Sequence, residues 1–219
     1  MAQTQTQDSL GRQAYRALRD RILAGQLQPG QRLSLRGVAN SLGMSMAPVG
    51  EALRELSRDG LVESEPGWGT RVRKMTADSL RSQHVLRMAV ECEAARQTSR
   101  VATDAQLADL MDLAAELDRR IDSHAEPQRI HGLDSAFHVR IAELSGAPSL
   151  AEVLKANQLV RMLARGSVLA HDVERPTLQH VHLVDEFRSR DAPRAEQAMR
   201  EHCEQSMELQ LSRIANGDH

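Results

Sequence analysis

From residue 75 to the C-terminus the chain has no stretch with the two-residue alternation of a strand. Apolar residues there recur every three or four positions, the period of a helix face. Aromatic residues make up only 2% of the chain, so the core has to be assembled from Leu, Val, Ala, Met and Ile. Such side chains suit helices packed on helices. Gly and Pro are sparse beyond the first third, which lets long helices run. Breaks fall at Gly146 to Ser149, Arg175-Pro176 and Asp191 to Pro193. The spacing gives helices near 78–100, 104–122, 127–145, 148–170, 175–190 and 192–215.

The first 74 residues read differently. A helix from about Ser9 to Ala24 carries Ala14, Tyr15, Leu18 and Ile22 on one side, with Asp8 or Ser9 to cap it and Gly25 to stop it. Pro29-Gly30 marks a turn. A short helix over about Leu35 to Ser41 ends near Gly43. A third helix has Ser45 as its cap, Pro48 in its first turn and Val49, Ala52, Leu53 and Leu56 facing inward. Two strand candidates, Leu61 to Ser64 and Thr70 to Val72, flank Pro66-Gly67-Trp68-Gly69, a hairpin tip. Two helices joined by a tight glycine turn and followed by a hairpin make a winged helix-turn-helix. Trp68 is read as packing on that domain's surface. The expected fold class is therefore mainly α. A winged helix-turn-helix with a small β-hairpin wing spans 1–74, and an all-α helical bundle spans 75–219.

Charge separates the same two parts. Residues 1–74 hold eleven Arg and Lys against seven Asp and Glu, a net +4, whereas the remainder stands at −6 and the whole chain at −2. A basic head on an acidic body fits nucleic-acid binding by the head. Cys92 and Cys203 belong to no C-x-x-C pair and suggest no disulfide framework. Met1 to Ser9 is polar and lacks the apolar core of a secretory signal, and no apolar run has the length of a membrane span. A cytoplasmic protein without a membrane partner is expected.

Residues 11–72 resemble the DNA-binding domain of GntR-family regulators. The likeness runs through Tyr15, Leu18, Ile22, Gly25, Pro29-Gly30, Leu33, Val38-Ala39, Leu42-Gly43 and Ser45. It continues through Pro48-Val49, Glu51-Ala52-Leu53-Arg54, Leu56, Gly60-Leu61-Val62 and on to Val72. The resemblance implies a double-stranded DNA operator as partner. A recognition helix sets its N-terminal side chains against base edges, while basic residues and helix-start N–H groups grip phosphate. Candidate DNA contacts are Arg36, Ser45, Met46, Ala47, Gly50 and Arg54, with Gly67 and Gly69 in the wing. The chain departs from the family's Ser-Arg-Thr-Pro-Val-Arg-Glu-Ala-Leu stretch, reading Ser45-Met46-Ala47-Pro48-Val49-Gly50-Glu51-Ala52-Leu53. Two arginines are missing. A bidentate Arg–guanine contact carries about 1–3 kcal/mol of discrimination, so a changed or weakened operator preference is expected.

The body, over about 78–212, resembles the effector domain of the FadR subfamily in its FCD form. Arg87-x-x-x-Glu91, Asp134-x-x-Phe137-His138 with Leu144-Ser145-Gly146, His180 with Asp191, and Ala195 to His202 carry the likeness. The resemblance implies that one Asp and three His, here Asp134, His138, His180 and His202, bind a divalent metal in the bundle core. The spacing agrees. Asp134 and His138 are four apart on the face that also holds Leu133, Phe137 and Ile141. His180 lies with Leu183, Val184 and Phe187, and His202 with Ala195, Ala198 and Met199. Burying an ionisable group is costly unless it is paired or bound. Three nitrogens and one oxygen suit a transition metal, with Zn²⁺ first and Ni²⁺, Mn²⁺ or Fe²⁺ also fitting, rather than Ca²⁺ or Mg²⁺. His182 falls on the opposite side of its helix. His84, His124, His131, His171 and His219 match no motif and are read as surface residues.

The resemblance also implies a small-molecule effector beside the metal, an organic acid whose carboxylate reaches the ion. Arg87 is a candidate carboxylate clamp, with Arg161 a second. Each is alternatively an ordinary ion-pair arginine. The function that follows is a homodimeric repressor or activator on a two-fold operator, controlled by that effector. An enzyme using Asp134, His138, His180 and His202 as a catalytic metal site is the alternative. Against it, no H-E-x-x-H, G-x-S-x-G or Walker A sequence is present. A regulator that has lost specific operator binding is a third reading, resting on Met46 and Gly50.

Overall fold

The structure is a computed structural model that describes residues 9–65, 69–123, 125, 127–166 and 180–215. Contacts within the chain gather into two units, Met1–Lys74 and Met75–His219.

The first unit holds helix α1 (Leu10–Leu23), strand β1 (Arg32–Leu33), helices α2 (Leu35–Leu42) and α3 (Met46–Arg58), and strands β2 (Val62–Glu65) and β3 (Gly69–Val72). Ser9 caps α1 by accepting from the Arg12 N–H, and Ser34 caps α2 by accepting from the Gly37 N–H. Gly43 ends α2 in the left-handed region at φ 63°, where a side chain would be strained. The turn that follows delivers α3 onto the apolar faces of α1 and α2. Ala14, Leu18, Ile22, Val38, Val49, Ala52 and Leu56 form the shared core. A fully buried Leu or Ile contributes about 1.5–3 kcal/mol, as Leu18, Ile22 and Leu56 do here.

One element was not anticipated from the sequence. The β2–β3 hairpin forms as expected, and β1 joins it to make a three-stranded antiparallel sheet in the order β1-β3-β2. β1 pairs Arg32 with Arg71 and Leu33 with Thr70. Two residues are too few to show an alternation pattern. Only the buried Leu33 between exposed neighbours hints at a strand. The hairpin tip, with Gly67 and Trp68, lies outside the described residues.

The second unit is all helical among the described residues: α4 (Ala77–Val101), α5 (Asp104–Asp122), α6 (Pro127–Leu144), α7 (Pro148–Gly166), α8 (His180–Arg188) and α9 (Ala192–Ala215). The observed boundaries match the expected ones closely. Of the helix expected over 175–190, the part from His180 is described. Reciprocal capping boxes start α4 at Thr76/Ser79 and α5 at Thr103/Gln106. α4 runs along α9 and also touches α6, α7 and α8, while α5 packs on α6 and α8. Leu107, Leu110, Leu117, Phe137, Ile141, Leu183, Phe187 and Met199 fill the centre, each at most 1% exposed. Among the described residues no helix is long and apolar enough to cross a membrane.

Candidate functional sites

In the first unit the candidate interface is built on α3. Ser45 occupies the cap position but its side chain makes no capping bond, so its hydroxyl is not consumed by the helix. The first N–H groups of any helix lack intrahelical partners and attract anions. Met46 and Ala47 are exposed in the first turn, Gly50 follows one turn on, and Arg54 is exposed one turn beyond that. These positions share a face, because residues three and four apart are neighbours on a helix. The opposite face carries Val49, Ala52 and Leu56 into the core. Arg36 is exposed on α2 and Gly69 is exposed in β3. A groove lies between α2, α3 and the sheet, lined by Leu35, Gly50, Arg54, Arg58, Ser64 and Thr70. Among the described residues Arg36, Arg54 and Arg58 take part in no ion pair, unlike Arg73, which meets Glu63 at 3.0 Å. The face is therefore short of negative partners of its own.

In the second unit the structure brings Asp134, His138, His180 and His202 together. One donor atom from each of His138, His180 and His202 lies within 4.8 Å of the others, and all three residues are buried. The rings of His180 and His202 are 4.9 Å apart between centroids, and those of His138 and His202 5.1 Å. Asp134 Oδ1 is 3.6 Å from His180 Nε2 and 3.8 Å from His138 Nε2. Phe137 sets its edge or face against both His138 and His180, closing the apolar side of the cluster. His182 is exposed, as its helix face requires.

Buried carboxylates stand behind two of the rings. His180 Nδ1 is 2.6 Å from Asp118 Oδ1, and His138 Nδ1 is 2.7 Å from Glu91 Oε2. Such partners fix the orientation and tautomer of metal-binding imidazoles. Nε2 of His180 and Nε2 of His202 are buried and hydrogen-bonded to nothing among the described residues. An unsatisfied buried polar atom is costly, and two on one cluster call for a ligand. Burial, followed by the neighbouring His138 and His180, holds His202 well below the usual imidazole range. Burial also pulls His180 down, but its bond to Asp118 and the nearby Asp134 carboxylate outweigh this and leave it raised. The residues present fit a transition metal with three nitrogens and one oxygen. The set lacks the oxygen-rich character that Ca²⁺ or Mg²⁺ requires.

Arg87 lies in the wall of this site rather than on a surface. It is 8% exposed, and its Nε donates to Glu91 Oε1 at 2.9 Å. Its NH1 donates to Ser206 Oγ at 3.3 Å, and Cys203 Sγ lies 3.7 Å from NH2. Burial opposes its charge, but Glu91 more than compensates and the guanidinium is held more firmly protonated than usual. Of the two readings of Arg87, the ion-pair one describes the structure without a ligand. Arg161 lies in α7, but its side chain falls outside the described residues.

Two participants were missed from the sequence. Asp118 has no nearby motif, and its partner His180 is 62 positions away. Its one signal is position: it follows Leu107, Leu110, Ala114 and Leu117 on the buried face of α5, where an acid is out of place. Glu91 was seen only as part of a family stretch, yet Arg87, Glu91, Ala94 and Thr98 form one buried stripe of α4. His131, expected on the surface, is buried at 6% exposure, because the turn of α6 before Asp134 also packs inward. His84 is half-buried rather than exposed. His124, His171 and His219 lie outside the described residues.

Comparison with known proteins agrees with both halves. Residues 10–72 match the family model described as bacterial regulatory proteins, gntR family, and residues 84–205 match the FCD domain. The chain is 29% identical over 209 residues to the HTH-type transcriptional repressor RspR of Escherichia coli strain K12, covering 91% of this chain and 88% of that protein. It is 31% identical over 204 residues to an uncharacterized HTH-type transcriptional regulator in an unstable DNA locus of Streptomyces ambofaciens, covering 92% and 85%. Among solved structures, E. coli McbR/YncC superposes with a TM-score of 0.73 at 22% identity, covering 95% of this chain and all of that one, a likeness of fold.

Proposed function

Because the chain belongs to the gntR family of bacterial regulatory proteins, with an FCD domain, and is a DNA-binding transcriptional regulator rather than an enzyme, we propose that a small organic acid bound beside a divalent metal controls its hold on an operator. The observation that carries this is the convergence of Asp134, His138, His180 and His202, with the Nε2 atoms of His180 and His202 buried and without a hydrogen bond among the described residues. These four residues would hold the ion, with Zn²⁺ the first choice. A bound ion supplies a positive charge with open positions that a carboxylate can fill.

Arg87 is the second anchor for that acid. Its bonds to Glu91 join opposite charges, whereas among the described residues NH1 donates to the neutral Ser206 hydroxyl. A ligand carboxylate would displace the weaker, neutral contact and keep the ion pair. Arg161 remains a candidate for the same pocket. Ser45, Met46, Ala47, Gly50 and Arg54 on α3, with Arg36, Gly67 and Gly69, form the DNA face, and a homodimer would present two such faces to a two-fold operator. For the acid to act as a signal, it must bind one arrangement of the dimer better than the other.

The test is selection from a random duplex library at fixed salt with Zn²⁺-loaded protein. The selected duplex is then titrated in the presence of a panel of small carboxylates. A preferred sequence whose affinity one acid shifts at least fivefold is expected. No preference over random duplex overturns specific regulation, and a preference that no carboxylate or metal removal alters overturns the control mechanism.

A further inference from the structure

We infer that Asp118 is a positioning residue that both fixes the metal-facing tautomer of His180 and caps the start of α8, so that filling the centre and docking α8 are a single event. The inference rests on the reading of the histidine cluster as a metal centre.

Asp118 is on α5, is 8% exposed, and reaches across to the first residue of α8. Its Oδ1 accepts from the His180 backbone N–H at 3.2 Å and its Oδ2 from the Val181 N–H at 3.1 Å. The first N–H groups of a helix need outside partners, and a carboxylate is favoured there by the helix dipole. An ordinary cap comes from the residue just before the helix and forms wherever the helix forms. This one belongs to another helix, so the two bonds that Asp118 accepts from α8 form only when α8 lies against α5.

The same carboxylate oxygen also lies 2.6 Å from His180 Nδ1. In the neutral ring the Asp118 carboxylate holds the hydrogen on Nδ1 and leaves Nε2 its lone pair, an assignment that follows from the bonding network. That Nε2 is the buried atom aimed at the cluster, without a hydrogen bond among the described residues. A carboxylate behind an imidazole also makes it a stronger ligand. His138 has the matching partner in Glu91, but that acid's charge is already countered by Arg87. Among the described residues no Lys or Arg is paired with Asp118. Its charge acts on His180 and on the start of α8.

The full-length chain and Asp118→Asn are compared, with Zn²⁺ as the probe. Asn keeps the size and one accepting oxygen, so it can still accept from one of the two N–H groups, and circular dichroism checks that both proteins are folded. Chelator competition is expected to show Zn²⁺ bound about 10–100-fold more weakly by D118N. Nitrogen-15 spectra of the wild type should place the hydrogen of His180 on Nδ1 before Zn²⁺ is added, and the metal on Nε2 afterwards. Hydrogen exchange at the His180 and Val181 amides should slow on Zn²⁺ addition in the wild type and much less in D118N. Coordination through Nδ1, or D118N binding Zn²⁺ within twofold of the wild type, overturns the inference and leaves the metal centre standing. No Zn²⁺ uptake by the wild type overturns the metal reading, and this inference with it.

Discussion

Arg54 in the N-terminal unit and Arg87 in the C-terminal unit both stand on helices next to a candidate site, but they are handled in opposite ways. Arg54 is exposed on α3 beside a glycine and has no ion pair among the described residues. Arg87 is buried against Glu91, Ser206 and Cys203. The first arrangement holds a charge in water until an external anion arrives. The second has already taken its charge out of water and balanced it internally. One unit is built to meet a large, highly charged partner at its surface. The other is built to keep a small polar pocket rigid inside a helical bundle.

The sharpest way to break this comparison is to remove each arginine. Arg87→Ala leaves Glu91 buried at 1% exposure without its counter-charge. Losing one partner of a buried pair typically destabilises by about 3–5 kcal/mol. Arg54→Ala removes nothing from the core and should stay within about 0.5 kcal/mol of the parent. Urea unfolding of both variants checks the contrast. A loss below about 1 kcal/mol for Arg87→Ala would mean that water already reaches the pair.

The second contrast concerns metal. A ligand present at a hundredfold excess over its dissociation constant stabilises the state it binds by about 2.7 kcal/mol. Zn²⁺ should therefore raise the unfolding transition of the C-terminal unit and leave that of the N-terminal unit unchanged. His202→Ala should abolish the rise, because His202 supplies a buried Nε2 that hydrogen-bonds to nothing among the described residues. Calorimetry with and without Zn²⁺ reads both transitions. A rise that survives in H202A would assign the ion to other ligands.

The two units also differ in how much of them could be read from the chain. The N-terminal unit is written locally. Its caps, its glycine turn and the inward face of α3 depend on neighbours three or four positions apart, so Ser9, Gly43 and Val49 each announce their element. Only β1 escaped, because two residues set no period and its pairing partner in β3 is about forty positions away. In the C-terminal unit the helices were equally legible, and so were Asp134 and His138, which share a turn-to-turn spacing. What periodicity cannot show is which buried faces meet. Asp118 joins His180, and Glu91 joins His138, only because α5 lies on α8 and α4 on α6. The inward face of each acid was visible in the sequence, but its partner was not.

A third measurement sharpens the role of the exposed arginine. Arg54 is two turns from the start of α3, while base edges are met by the first residues of a recognition helix. Arg54→Ala should therefore weaken binding about equally on preferred and random duplexes. It should also lower the slope of log affinity against log salt by about one, the signature of one lost phosphate contact. A loss of about 1–3 kcal/mol confined to the preferred duplex would instead assign Arg54 to a base edge.

The smallest expected effect concerns Gly50 and separates folding from binding within the first unit. A glycine inside a helix costs about 1 kcal/mol relative to alanine. A methyl at position 50 would meet only Leu35 Cδ1 at 3.8 Å and Arg54 NH1 at 3.9 Å, both ordinary contacts, and the backbone there is in no left-handed conformation. Nothing among the described residues therefore opposes Gly50→Ala, and urea unfolding should show a gain of about 1 kcal/mol. If the groove beside Gly50 admits the DNA backbone closely, the same methyl should weaken binding to the selected duplex even as it stabilises the protein. Stability and affinity moving in opposite directions would place the glycine on the DNA-facing side. An affinity that is unchanged would assign the recess at Gly50 to a part of α3 that the duplex does not touch.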